Sequence, residues 1–216
     1  MKSKAELPDA KRPYRQTARA AAAEANAGRV VEAFRERLTR LWFDEIRLED
    51  VAQDAGVTVQ TVIRRFGGKE GLLEAVVDVI AVEIAATRQA ASGDPRQAVR
   101  SVAKDYEVSG DLVLRVLAQE ERYPALRRIT DVGRRNHRAW VADVFAPWLK
   151  DLAAEPARQR LDALVVATDL YVWKLIRRDM DRPVAELIEI MDRSVDAALS
   201  AAPSPTIPSP NQDLPR

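Results

Sequence analysis

The sequence predicts an all-α chain of about nine helices: a small three-helix unit with a helix-turn-helix, followed by a larger helical unit. Three observations predict it. Apolar residues recur at spacings of three and four, as Val30, Val31, Phe34, Leu38 and Leu41 in one stretch and Leu72, Leu73, Val76, Val77, Ile80 and Ile84 in another. No run alternates with period two, so strands have no support. The breaks carry helix punctuation at Gly56, Gly67-Gly68, Gly93-Asp94-Pro95, Ser109-Gly110, Pro124, Glu155-Pro156 and Arg182-Pro183.

Taken in order, these breaks predict helices near 18–41, 48–55, 58–66, 70–91, 95–108, 111–121, 124–152, 156–179 and 183–200. The organisation expected is a basic flexible arm over 1–17, a helix-turn-helix unit over 18–70, a larger helical unit over 71–200 and a Pro-rich disordered tail over 201–216. Residues 1–20 carry Lys2, Lys4, Lys11, Arg12, Arg15 and Arg19 against Glu6 and Asp9, which suits contact with a polyanion. The tail holds five prolines in its last fourteen residues and has no apolar period to offset the entropy of ordering.

Composition removes several function classes. The 216 residues are 47% hydrophobic and 31% charged, which excludes a wholly disordered polymer. With no cysteine and one histidine, His137, the chain has no disulfide framework, no thiolate zinc finger, no cysteine nucleophile and no multi-histidine metal site. No cofactor and no catalytic residue are expected, since glycine-rich phosphate loops and nucleophile elbows are missing too. The apolar stretch Leu72 to Ala86 is broken by Glu74, Asp78 and Glu83, short of the roughly 20 apolar residues of a membrane span. No apolar segment follows the basic N-terminus as a secretory signal requires, so a cytoplasmic protein is expected.

The informative stretch is LEDVAQDAGVTVQTVIRRFGGKEGLL, Leu48 to Leu73. Leu48, Val51, Ala52 and Ala55 give a short helix one apolar face, and Gly56 supplies the turn. Val57 plugs the corner, while Val62 and Phe66 form the inner face of a second helix. Ala52 has to be small because the second helix crosses close above it. Thr58 is a good N-cap, leaving backbone N–H groups free for a phosphate. With Val62 and Phe66 inward, Gln60, Thr61, Ile63 and Arg64 face outward. Arginine can pair with guanine, glutamine with adenine, and an aliphatic can touch a thymine methyl. Arg65 and Lys69 flank this row as phosphate partners. The plainer alternative is an ordinary helical hairpin with a solvated charged face.

These residues resemble the DNA-binding domain of the TetR family of bacterial transcriptional regulators over roughly the first 75 residues. The resemblance lies in a helix, Ala-Gly-Val, a capping Thr, a helix ending in Phe, and a Lys that starts the next helix. It implies that Val59, Gln60, Thr61, Ile63, Arg64 and Arg65 face DNA and that Lys69 contacts phosphate. Ile63 stands where the family usually has a tyrosine, and Arg47 where it usually has a capping Thr or Ser. One phosphate hydrogen bond is thereby lost, and Arg47 and Arg65 can restore charge contacts. The implied partners are an operator duplex, a small-molecule inducer and a second copy of the chain.

In the remaining two thirds, Leu164, Thr168 and Val172 on one helix and Leu187, Met191 and Val195 on the last are expected to form a four-helix dimer interface, the alternative being the protomer's own core. Tyr106, His137, Trp140, Val144, Trp148 and Tyr171 are expected to line a pocket for a flat apolar or aromatic ligand. The function implied is a repressor released from a palindromic operator by such a ligand. The alternatives are an activator or an architectural DNA binder without an inducer.

Overall fold

The computed structural model describes residues 11–201, with side chains from Arg19 onward. Most of the basic arm (1–10) and the tail beyond 201 lie outside the described residues. The helices are α1 Lys11–Leu38, α2 Leu48–Asp54, α3 Val59–Phe66, α4 Lys69–Thr87, α5 Pro95–Leu117, α6 Pro124–Val144, α7 Ala146–Leu149, α8 Ala154–Ala167, α9 Leu170–Lys174 and α10 Val184–Ser200. A π-helical turn, Leu175–Asp179, follows α9, and no strand occurs among the described residues.

Helix α1 starts at Lys11, earlier than expected, so residues 11–17 are helix and not arm. The alanine-rich run behind them propagates helix well. At two other ends local chemistry acts as read. Asp94 caps α5 by accepting from the Gln97 amide, with Pro95 at the first helical position. Gly67 closes α3 in the left-handed region, its N–H donating to the Ile63 carbonyl.

Two apolar cores hold the molecule. The first gathers Val30, Phe34 and Leu38 of α1, Val51 and Ala52 of α2, Val62 of α3 and Leu72, Leu73 and Val76 of α4. It also takes Leu112 from α5 and Ala125 and Leu126 from α6. The α5–α6 corner therefore closes the core of the helix-turn-helix unit, and the division expected at residue 70 does not separate the two packing units. Gln119 in that corner accepts from the Phe43 amide at 2.7 Å, and Arg115 donates to the carbonyls of Leu41 at 3.2 Å and Arg40 at 2.5 Å. The second core lies among α5, α6, α8, α9 and α10 around Tyr106, Phe145, Leu164, Trp173 and Met191.

Three expected helices are divided differently. Helix α5 runs straight through Ser109-Gly110, because that glycine is a packing notch: a Cβ there would lie 2.6 Å from the buried Trp173 ring. The expected helix 156–179 is instead broken at Thr168 and Asp169. Thr168 turns its hydroxyl back to the Leu164 carbonyl at 2.9 Å, the Tyr106 hydroxyl donates to the freed Thr168 carbonyl at 3.1 Å, and Asp169 caps α9. The expected helix 124–152 likewise divides at Phe145 into α6 and α7.

Candidate nucleic-acid interface and a buried polar cluster

Each small or apolar residue of the helix-turn-helix is where its chemistry requires. Val51, Ala52, Ala55 and Val62 are 0–3% exposed and belong to one core. Gly56 adopts φ +66°, a conformation that β-carbon side chains rarely take. Thr58 has extended backbone and its hydroxyl accepts from the Thr61 amide at 3.2 Å, closing the front of α3. Arg37 of α1 pairs with Asp54 at 2.6 Å and Asp50 at 3.7 Å, fixing α2 against α1.

With Val62 buried, Gln60, Ile63, Arg64 and Arg65 are exposed, as are Thr58 and Arg47, while Val59 and Thr61 are half-buried. Of the row expected to face DNA, Gln60, Ile63 and Arg64 share the exposed side of α3, while Thr61 and Arg65 turn towards α1 and Val59 packs on the core. Ile63 is 41% exposed, an aliphatic kept in water beside two guanidinium groups. Arg47 stands apart, before α2, within 4.0 Å of Glu49, and its side chain makes no capping hydrogen bond to that helix.

Lys69 sits differently from the expectation of a phosphate contact. Its ammonium donates to the carbonyls of Ile46 at 2.8 Å and Asp44 at 3.3 Å and lies 4.8 Å from the centre of the Phe43 ring. Burial holds its pKa below the usual lysine value, with the Asp44 charge opposing. Its charge fastens the α1–α2 loop to the start of α4.

At the other end of α4 lies a buried polar cluster. Arg88 follows the helix, its side chain 9% exposed, and pairs with Asp105 of α5, 4% exposed, at 2.6 Å. Its guanidinium is 5.1 Å from the Tyr106 ring centre and 5.3 Å from that of Trp140, and the Trp140 indole N–H donates to the Arg88 carbonyl at 3.1 Å. Arg88 also reaches His137 Nδ1 at 2.9 Å. Because guanidinium can only donate, Nδ1 accepts and the proton resides on Nε2, which faces the Thr168 hydroxyl at 3.3 Å. Burial, then the Arg88 charge, lowers the His137 pKa to about 4. The imidazole is therefore neutral near pH 7.

This cluster corrects the expected pocket. Tyr106 and Val144 are 5% and 2% exposed, parts of the packed core. His137, Trp140 and Trp148 are half-buried, and the space between Tyr106 and Trp140 is taken by Arg88. Tyr171 is 58% exposed on the surface and lines nothing with them. Arg88 and Asp105 were missed by sequence reasoning, since their partners come from three separate helices and no local pattern marks them.

The expected dimer residues are also corrected. Leu164, Thr168, Leu187, Met191 and Val195 are 0–1% exposed inside their own protomer, and Val172 is half-buried. The helical period identified an apolar stripe, and that stripe faces α5 and α6. Five of the eleven large apolar side chains exposed among the described residues lie between 166 and 184: Val166, Tyr171, Leu175, Met180 and Val184. The π turn, with the Met180 amide donating to the Leu175 carbonyl at 2.9 Å, absorbs one extra residue while Trp173 and Ile176 stay buried and Tyr171, Leu175 and Met180 stay exposed.

Comparison with known proteins points the same way. The profile of the family described as "Bacterial regulatory proteins, tetR family" matches residues 43–76. The HTH-type transcriptional regulator BetI of Burkholderia mallei is 34% identical over 129 residues, 55% of this chain and 66% of that protein. BetI of Paraburkholderia phymatum is 34% identical over 133 residues, 56% of this chain and 66% of its own. The match thus spans just under two thirds of those relatives. Among solved structures, a transcriptional regulator from Rhodococcus sp. Rha1 superposes with TM-score 0.60 at 18% identity, covering 80% of this chain and 95% of its own. A second Rhodococcus protein, grouped with the TetR family, gives TM-score 0.62 at 17% identity over 81% and 99% of the two chains. At these identities the structural likeness is one of fold.

Proposed function

We propose that this chain, which belongs to the TetR family of bacterial regulatory proteins, is a sequence-specific DNA-binding repressor that sits as a homodimer on a palindromic operator and is released by a small ligand. It acts by binding and not by catalysis. The observation that carries the reading is the exposed row Gln60, Ile63 and Arg64 on a helix whose opposite face, Val62, is 0% exposed. A row of this chemistry on a short, capped helix fits base edges in the major groove. Selection from random duplexes at fixed salt tests it. A palindrome should emerge, with identifiable letters blurring for Arg64→Ala and Gln60→Ala; binding that is salt-sensitive but blind to sequence would leave only the architectural alternative.

The dimer pairs through the exposed apolar surface of Val166, Tyr171, Leu175 and Met180, with a second copy as its occupant, because a palindrome requires two readers related by a two-fold axis. Leu175→Glu should then give a monomer in sedimentation while the far-ultraviolet spectrum is unchanged. Release works through α4, which begins at Lys69 beside the reader and ends in the Arg88 cluster. A flat ligand gains the Tyr106 and Trp140 faces only by displacing the Arg88 guanidinium, so ligand binding and movement of the α4 terminus are one event. The differential affinity of ligand for the displaced state sets how far operator affinity falls.

A further inference from the structure

The recognition surface carries one carboxylate that reading DNA does not need. Glu24, on the outer part of α1, accepts from Arg65 Nη2 through both its oxygens, at 2.9 and 3.0 Å. Both side chains are open to water, 67% and 54% exposed. From Arg19 to Arg29 every side chain of α1 is exposed or half-buried, and Val30 is the first buried one. This ion pair, together with the Arg29 Nε bond to the Ala55 carbonyl at 3.1 Å, fastens that stretch to the reader. Between the two helices runs a groove of about 250 Å³, with Asn26 and Ala27 on one wall and Thr61, Arg64 and Arg65 on the other. The groove brings together two guanidinium groups, a hydroxyl and an amide, all able to donate to a phosphate.

We propose that Glu24 sets the affinity of the protein for DNA by holding Arg65 in the free protein, so that a backbone phosphate has to take the guanidinium from it. The proposal rests on the reading of α3 as the DNA-facing helix. An exposed pair of this kind is weak and exchanges readily, and a phosphate offers guanidinium the same bidentate geometry as a carboxylate. Once Arg65 has moved to DNA, the Glu24 charge stays beside the phosphates, without its partner. The exchange reduces the net gain from one phosphate contact. It does so at every sequence, because phosphates carry no base information. Glu24 thus lowers the affinity for all duplexes alike, while Gln60, Ile63 and Arg64 set the ratio between them.

The test compares wild type, Glu24→Gln, Arg65→Gln and the double variant. Each is titrated with salt against a random-sequence duplex and against the duplex recovered by selection. Glu24→Gln should tighten binding to both duplexes about threefold to tenfold at low salt and steepen the log–log salt dependence by about one. The ratio between duplexes should stay constant, and the gain should shrink on the Arg65→Gln background to what repulsion between the Glu24 charge and the phosphates alone supplies. Both side chains are exposed, so unfolding midpoints should stay close to wild type and exclude misfolding as the cause. Weaker or unchanged binding by Glu24→Gln, a gain undiminished by Arg65→Gln, or a gain confined to the selected duplex overturns the proposal. Failure to recover any preferred duplex would count against the base-reading function alone, because the random duplex still scores Glu24.

Discussion

The two cores of this molecule are built on opposite plans. The one around Phe34, Val51, Ala52, Val62 and Leu72 is apolar but for the Gln119 amide at its α5–α6 corner, and it keeps its charged chemistry outside, on the exposed side of α3. The one around Tyr106, Leu164, Trp173 and Met191 borders its chemistry inside, where Arg88, Asp105, His137 and Thr168 form one connected set. A surface of the first kind is ready to bind before any partner arrives. A buried set of the second kind can change only by rearranging the packing around it, which suits a part that switches.

The sharpest way to break this comparison is to remove one member of the inner ion pair. Asp105→Ala leaves the Arg88 guanidinium buried without its counter-charge and should cost about 3–5 kcal/mol in chemical unfolding. A loss below about 1 kcal/mol would mean that water reaches the cluster. Next comes its pH dependence. His137 titrates at about 4 in the folded chain against an ordinary 6.5, so between those values the unfolded chain binds the extra proton. Its contribution is complete above pH 6.5 and is lost as pH falls towards 4, up to about 3 kcal/mol. Unfolding at pH 7 and pH 4.5 should show this dependence in wild type and a weaker one in His137→Asn.

Smaller effects sharpen the contrast. Gly110→Ala adds helix propensity but drives a methyl into the Trp173 ring, for a net loss of about 1–3 kcal/mol in thermal unfolding. Thr58→Ala removes the cap of α3 and should cost about 1 kcal/mol. Unlike Gly110→Ala it should also weaken operator binding, because its effect falls on the outer surface.

The same contrast explains what was legible in the sequence. The reader could be derived residue by residue because its rules are local: Gly56 for the turn, Ala52 for the crossing, Thr58 for the cap and Val62 for the inner face all lie within eleven residues of one another. The second half failed where distance matters. Arg88, Asp105 and His137 meet across separations of 17 and 49 residues, which no periodicity records. Ser109-Gly110 has the composition of a break, yet the glycine makes room for a ring 63 positions later. An apolar stripe such as Leu187, Met191 and Val195 shows that a face is covered without showing whether its own chain or a second copy covers it. Lys69 shows the converse, a correctly located residue whose charge is directed at two carbonyls of the fold.

The most direct measurement is the affinity of Arg64→Ala and wild type for the selected duplex and for versions changed one base pair at a time, all at one salt concentration. If α3 reads bases, wild type should lose about 1–3 kcal/mol for each contacted pair changed, and Arg64→Ala should erase that loss at its own position in each half-site while preserving it elsewhere. A uniform weakening by Arg64→Ala, equal at every position and in random DNA, would contradict the claim and make Arg64 one more phosphate contact.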